Sequence, residues 1–116
     1  MLTTWKLLTI IRERTMTVNE LLAETHPGRT IAEDVLKPLG MSVNALAKEL
    51  HIPATRLNDI VRGRRGVTAD TALRLARYLG TSAQFWLNLQ SAYELRVAER
   101  SKGRAIKKSV RCRKVA

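Results

Sequence analysis

Asn58, Asp59 and Arg62, with Ala54, Thr55 and Arg56 just before them, are the side chains of this 116-residue chain whose types and spacing best suit chemistry. If Leu57 and Ile60 face inward, helical spacing turns Ala54, Thr55, Asn58, Asp59 and Arg62 outward and sets Arg56 on the flank. Asn can bond adenine through two hydrogen bonds, Arg can do so with guanine, Asp can accept from cytosine, and Thr can touch a thymine methyl or a phosphate. Arg62, Arg64 and Arg65, interleaved with Gly63 and Gly66, follow as a flexible cationic loop suited to the phosphate backbone. Ser42 and Asn44, at the start of the preceding helix, complete the candidate DNA-contact set. Any one of these residues would also serve on a solvated helix face, so the set points to base reading where no single member does.

Holding such a face outward takes two short amphipathic helices joined by a tight turn, and residues 43 to 62 read as that helix-turn-helix unit. Ser42 caps the first helix, which buries Val43, Leu46, Ala47 and Leu50; Ile52 plugs the turn; Leu57, Ile60 and Val61 hold the second, which Pro53 starts and Gly63 ends. His51 stands where the turn usually has glycine, and histidine is among the residues better tolerated at positive φ. Three more helices complete an all-α reading. Thr30 and Glu33 form a capping box ahead of Ile31, Val35, Leu36 and Leu39, with Pro38 and Gly40 closing that helix. Thr68 caps a helix whose apolar face is Leu73, Ala76 and Leu79, ending at Gly80. Thr81 or Ser82 caps the last, which carries Phe85, Trp86, Leu89, Ala92 and Tyr93 toward Arg100. No segment alternates as a strand would.

Lys and Arg number 21 against 10 Asp and Glu, a net charge of +11, so the partners expected are polyanions, nucleic acid first. A hydrophobic fraction of 45% fits a chain that folds in water, and no window is long and apolar enough to span a membrane. The first residues make a poor secretory signal, and the lone Cys112 excludes a disulfide within one chain and argues against a cysteine metal site. Together these place the chain in a reducing cytoplasm, with no metal and no cofactor. The only histidines, His26 beside a Pro-Gly break and His51 in the turn, are not brought to a carboxylate by this arrangement, which argues against a ribonuclease.

The charge is uneven along the chain. Residues 1–25 balance to zero and read as a flexible N-terminal extension; residues 26–100 form the helix-turn-helix domain. Residues 101–116 carry seven cations, no acid and few large apolar groups, so a disordered basic tail is expected. Within the extension, Met16-Thr17-Val18-Asn19-Glu20-Leu21-Leu22 has the look of a natural start, which leaves residues 1–15 dispensable.

The run Leu57-Asn58-Asp59-Ile60-Val61-Arg62-Gly63-Arg64-Arg65-Gly66-Val67-Thr68-Ala69-Asp70-Thr71, followed by Phe85-Trp86-Leu87-Asn88-Leu89-Gln90, resembles the HigA branch of the XRE-type, lambda-repressor-like helix-turn-helix family. His26-Pro27-Gly28 and Pro38-Leu39-Gly40 are similar to it too. The resemblance spans about residues 26–98. It implies an antitoxin that binds an mRNA-cleaving HigB-type toxin and, as a dimer, represses its own operon by holding operator DNA.

Two further expectations concern partners. Phe85, Trp86, Leu89 and Tyr93 present more apolar surface than a short helix can bury on a small domain, which predicts a homodimer interface on the fifth helix. The toxin is expected on surface away from the third helix; Leu21 and Leu22 are expected to pack on their own domain, with an apolar contact to the toxin as the alternative. The alternative is a solitary XRE-family regulator with the same DNA surface and no toxin.

Overall fold

A computed structural model describes residues 25–113, and these form five helices around one core. Helix α1 runs over 27–39, α2 over Val43–Leu50, α3 over Ala54–Val61, α4 over Ala69–Leu79 and α5 over Ala83–Ser109. No strand occurs among the described residues. The readings of Met16 as a start, of residues 1–15 as dispensable and of Leu21 and Leu22 as a contact lie outside the described residues.

Helix α1 starts one turn earlier than the capping-box reading placed it. Thr30 is inside the helix, with φ −61° and ψ −42°, and its side chain makes no cap bond. It is buried at 5% exposure, so its hydroxyl lies inside the fold rather than at a helix end. The cap is His26, whose Nδ1 accepts from the Gly28 N–H at 2.9 Å, with Pro27 preset for the first helical position. A Cβ at Gly28 would lie 1.8 Å from the Ile60 carbonyl oxygen, so glycine is what lets this first turn meet the end of α3. His26-Pro27-Gly28 is thus a helix start and not a loop. Over Ile31–Leu36 the ladder widens to π-helical pairing, and the Lys37 N–H reaches back to the Ala32 carbonyl. Pro38 follows at once; it has no N–H, and its ring crowds the carbonyl four residues back, a conflict that a wider turn relieves.

The helix-turn-helix forms as its sequence indicates. The Ser42 hydroxyl accepts from the Ala45 N–H at 3.1 Å, and His51 takes the left-handed conformation at φ 56°. Leu46, Ala47, Leu50, Ile52, Leu57 and Ile60 are all buried. Gly63 ends the unit at φ 77°, a conformation that suits glycine.

Helix α4 is capped by Thr68 as expected, but its buried face is Thr71, Ala72 and Leu75. Leu73, read as inward, is 64% exposed. Leu75 fixes the phase: Ala72, Leu75 and Leu79 recur at three and four residues, and Leu73 stands off that stripe.

Helix α5 departs furthest from expectation. It runs 27 residues to Ser109, so the segment from Ser101 expected to be disordered is helical for its first nine residues. The docked half nucleates the helix, and adding a residue to a formed helix costs far less than starting one. Arg, Lys and Ala propagate it readily, and Lys107 and Lys108 sit in its last turn, where cations favour the helix dipole.

Candidate nucleic-acid interface

Core packing turns α3 so that Leu57 and Ile60 are sealed inside while Thr55 and Arg62 are exposed and Ala54, Arg56 and Asn58 are half-buried. Thr55, Asn58 and Arg62 therefore share the outward face, spaced at three and four residues, with Ala54 at its leading edge. Ser42 and Asn44 stand exposed at the start of α2, Ser42 already holding its cap bond. Arg62, Arg64 and Arg65 are exposed on the loop after α3.

Two members of the set are engaged with the protein itself. Asp59 takes an ion pair from Arg64 at 3.0 Å, and its carbonyl accepts from the backbone N–H groups of Arg64 and Arg65 at 2.8 and 3.2 Å. It shapes the cationic loop from within. Arg56 reaches to Asp70 on α4 at 3.2 Å, which draws it toward the flank of the groove-facing side.

Four residues outside the candidate DNA-contact set hold this face in place. Arg74 donates from Nη1 to the Leu50 and His51 carbonyls at 3.0 and 3.3 Å and so straps the turn to α4. Its Nε bonds Asp70 at 2.9 Å; that hydrogen bond, with Arg56 adding to it, lowers the Asp70 carboxyl below its ordinary value. Gln90 is buried on α5, accepting from the Val67 N–H at 2.8 Å through Oε1 and donating to Glu94 at 2.9 Å through Nε2. That bond anchors the end of the cationic loop. His26 stacks edge-on against Tyr93, ring centres 5.0 Å apart, and a Cβ at Gly63 would lie 4.0 Å from its ring. Burial pushes the His26 imidazole below its ordinary pKa, and the Glu94 charge opposes this. Gln90 carried a signal in advance as the last residue of the Phe-Trp-Leu-Asn-Leu-Gln element, as did His26 in His26-Pro27-Gly28 and Asp70 in the run that follows Leu57.

Two of the four residues expected at a dimer interface are turned into the core of the single chain. Trp86 and Leu89 are 1% and 2% exposed within the single chain, and the Trp86 indole N–H donates to the Thr81 hydroxyl at 2.8 Å. Phe85 is half-buried and packs edge-on against Trp86 at 5.1 Å; Tyr93 is half-buried against His26. The small domain consumes this surface because α4 and the first turn of α1 pack against α5. Among the described residues, no group of three His, Cys, Asp or Glu is placed to hold a metal ion, and no helix is long and apolar enough to cross a membrane.

Residues 33–86, α1 through the start of α5, match the helix-turn-helix family. Virulence-associated protein I of Dichelobacter nodosus is 57% identical over 84 residues, covering 72% of this chain and 77% of its own length. Among solved structures, a HigA-family addiction-module antidote protein of Coxiella burnetii superposes with a TM-score of 0.73 at 47% identity, over 77% of this chain and 97% of that one. The chain belongs to the HigA branch of the XRE-type helix-turn-helix family. The Pseudomonas aeruginosa antitoxin HigA, solved with its higBA promoter, superposes on this HigA-branch chain with a TM-score of 0.73 at 45% identity, over 75% of this chain and 95% of that one. The relatives of the HigA branch are DNA-binding antitoxins and regulators, and this chain is no enzyme. In keeping with that, its His26 serves as a cap acceptor and its His51 as a left-handed turn residue.

Proposed function

We propose that this chain is a cytoplasmic, sequence-specific DNA-binding antitoxin that neutralises an mRNA-cleaving HigB-type toxin and represses its own operon as a homodimer. The observation that carries the reading is the outward face of α3, with Thr55, Asn58 and Arg62 presented together, on a chain 45% identical to an antitoxin solved with its promoter. Asn58 and Arg56 read bases in the major groove; Arg62, Arg64 and Arg65 take phosphates; Ser42, Asn44, Ala54 and Thr55 complete the contact surface; Asp59 sets the loop. A two-fold pair would place two such helices about 34 Å apart, one turn of DNA.

The test co-expresses the toxin frame adjacent to this gene with the chain carrying Asn58→Ala and Arg62→Ala. Growth is rescued while binding to the promoter is lost, because toxin and DNA are held by separate surfaces. Failure of rescue in a folded double variant shows that the two share one surface. If the wild-type chain rescues nothing yet binds the promoter, it is a solitary regulator. A monomer in sedimentation at micromolar concentration, without DNA, removes the dimer.

A further inference from the structure

Beyond Tyr93, α5 leaves the domain and runs about 24 Å to Ser109 at 1.5 Å per residue, every residue exposed except Gly103. Its cations are not scattered. At about 3.6 residues per turn, Arg96, Arg100, Arg104, Lys107 and Lys108 fall within about 120° of the helix circumference, and Lys102 alone stands off it. The acids Glu94 and Glu99 lie outside that arc, and Glu94 is held by Gln90. Arg96, Arg104, Lys107 and Lys108 have no ion-pair partner among the described residues.

The arc is the continuation of the face that α5 packs against the domain. Leu89, Tyr93, Trp86 and Gln90 occupy the same 120° or so one to four turns earlier. That face exits beside the cationic loop: Gln90 bonds Val67, a Cβ at Gly66 would touch Gln90, and Tyr93 meets His26 next to Gly63. The stripe and the phosphate loop Arg62–Gly66 therefore lie on one side of the molecule. Arg96, Arg100, Arg104 and Lys108 also follow one another at four-residue steps, where like charges repel. A row of anions alongside relieves that repulsion.

Resting on the DNA-binding reading above, we propose that this helical stripe binds the phosphate backbone of duplex DNA flanking the operator, extending the site by a straight cationic arm. The arm adds affinity and salt dependence without reading sequence, since a straight helix laid along the phosphates keeps its Arg and Lys side chains on the backbone and away from base edges. Its reach corresponds to about 7 base pairs at 3.4 Å each.

The experiment measures binding of the full chain to promoter duplexes trimmed to the footprint and to the same duplexes lengthened by about one helical turn, with random-sequence duplexes of both lengths alongside. One variant inserts a single alanine after Ala98, which rotates Arg100 through Lys108 by about 100° at unchanged charge. A second changes Arg96, Arg104, Lys107 and Lys108 to Gln. Wild type binds the longer duplexes more tightly, the insertion variant loses that gain, and the Gln variant flattens the log-log salt slope by about 3 to 4 on long duplexes only. Circular dichroism confirms that both variants stay helical; neither change touches the docked half of α5. An insertion variant that keeps the full gain, or a wild type with none, overturns the proposal. A gain seen on single-stranded RNA and not on lengthened duplex overturns it in favour of RNA. Failure of the operator-reading proposal shows instead as equal binding of promoter and random duplex at both lengths, which the length effect does not depend on.

Discussion

Arg56 on α3 and Asp70 on α4 are joined through one carboxylate oxygen, Asp70 Oδ2, which also holds Arg74 at 2.9 Å. The flanking arginine of the recognition helix is thereby tethered to the same group that orients the strap on the helix-turn-helix turn. An exposed ion pair of this kind contributes little stability. Its effect is on where Arg56 points.

Asp70→Asn should let Arg56 swing from its base-reading position to a neighbouring phosphate. Binding to random duplex tightens, the salt slope steepens by about 0.9 for one added phosphate contact, and preference for the promoter narrows. Equal affinities for wild type and variant on both duplexes would show that the tether does not govern DNA binding.

Asn58→Ala should cost about 1 to 3 kcal/mol on the promoter and almost nothing on random duplex. Arg64→Ala should weaken both alike and flatten the salt slope by about 0.9. Titrations at four salt concentrations separate the two behaviours.

Gln90→Ala leaves the buried Val67 N–H without its acceptor, which typically costs about 1 to 3 kcal/mol. Thermal unfolding reads this as a fall of about 4 to 8 °C per kcal/mol in a domain of this size. Gln90→Glu keeps an acceptor for Val67 but sets a buried carboxylate against Glu94, so it should lose at least as much.

His26 caps α1 through an unprotonated Nδ1, and its folded pKa lies below its ordinary value because of burial. The unfolded chain therefore takes up the proton first as pH falls. Stability from this group is complete above the ordinary imidazole pKa and is lost as pH drops through it toward the folded value. His26→Asn keeps a capping acceptor and does not titrate, so its melting temperature should depend less on pH between about 7.5 and 5.5. Parallel pH profiles for the two proteins would count against His26 as the linked group.

Local rules were enough to read much of this molecule from its residues. Ser42, Thr68 and Ser82 cap helices because their hydroxyls need only an N–H three residues on, and His51 and Gly63 turn the chain because their own backbones tolerate positive φ. The outward set on α3 followed from the period that buries Leu57 and Ile60. What packing decides was not legible in this way. Thr30 read as a cap until Gly28, pressed against the Ile60 carbonyl, let the helix begin earlier; Leu73 and Leu75 offered rival phases that only the neighbours of α4 separate. Trp86 and Leu89 counted as surplus apolar surface because nothing local reports how much core the helices packed on α5 leave open. The basic arm read as disordered because its own charges repel, whereas its helix inherits a nucleus docked residues earlier. The side chains that aim the DNA face, Arg74 on the turn carbonyls and Gln90 on Val67, join positions 23 or 24 residues apart, a pairing that only the folded chain brings about.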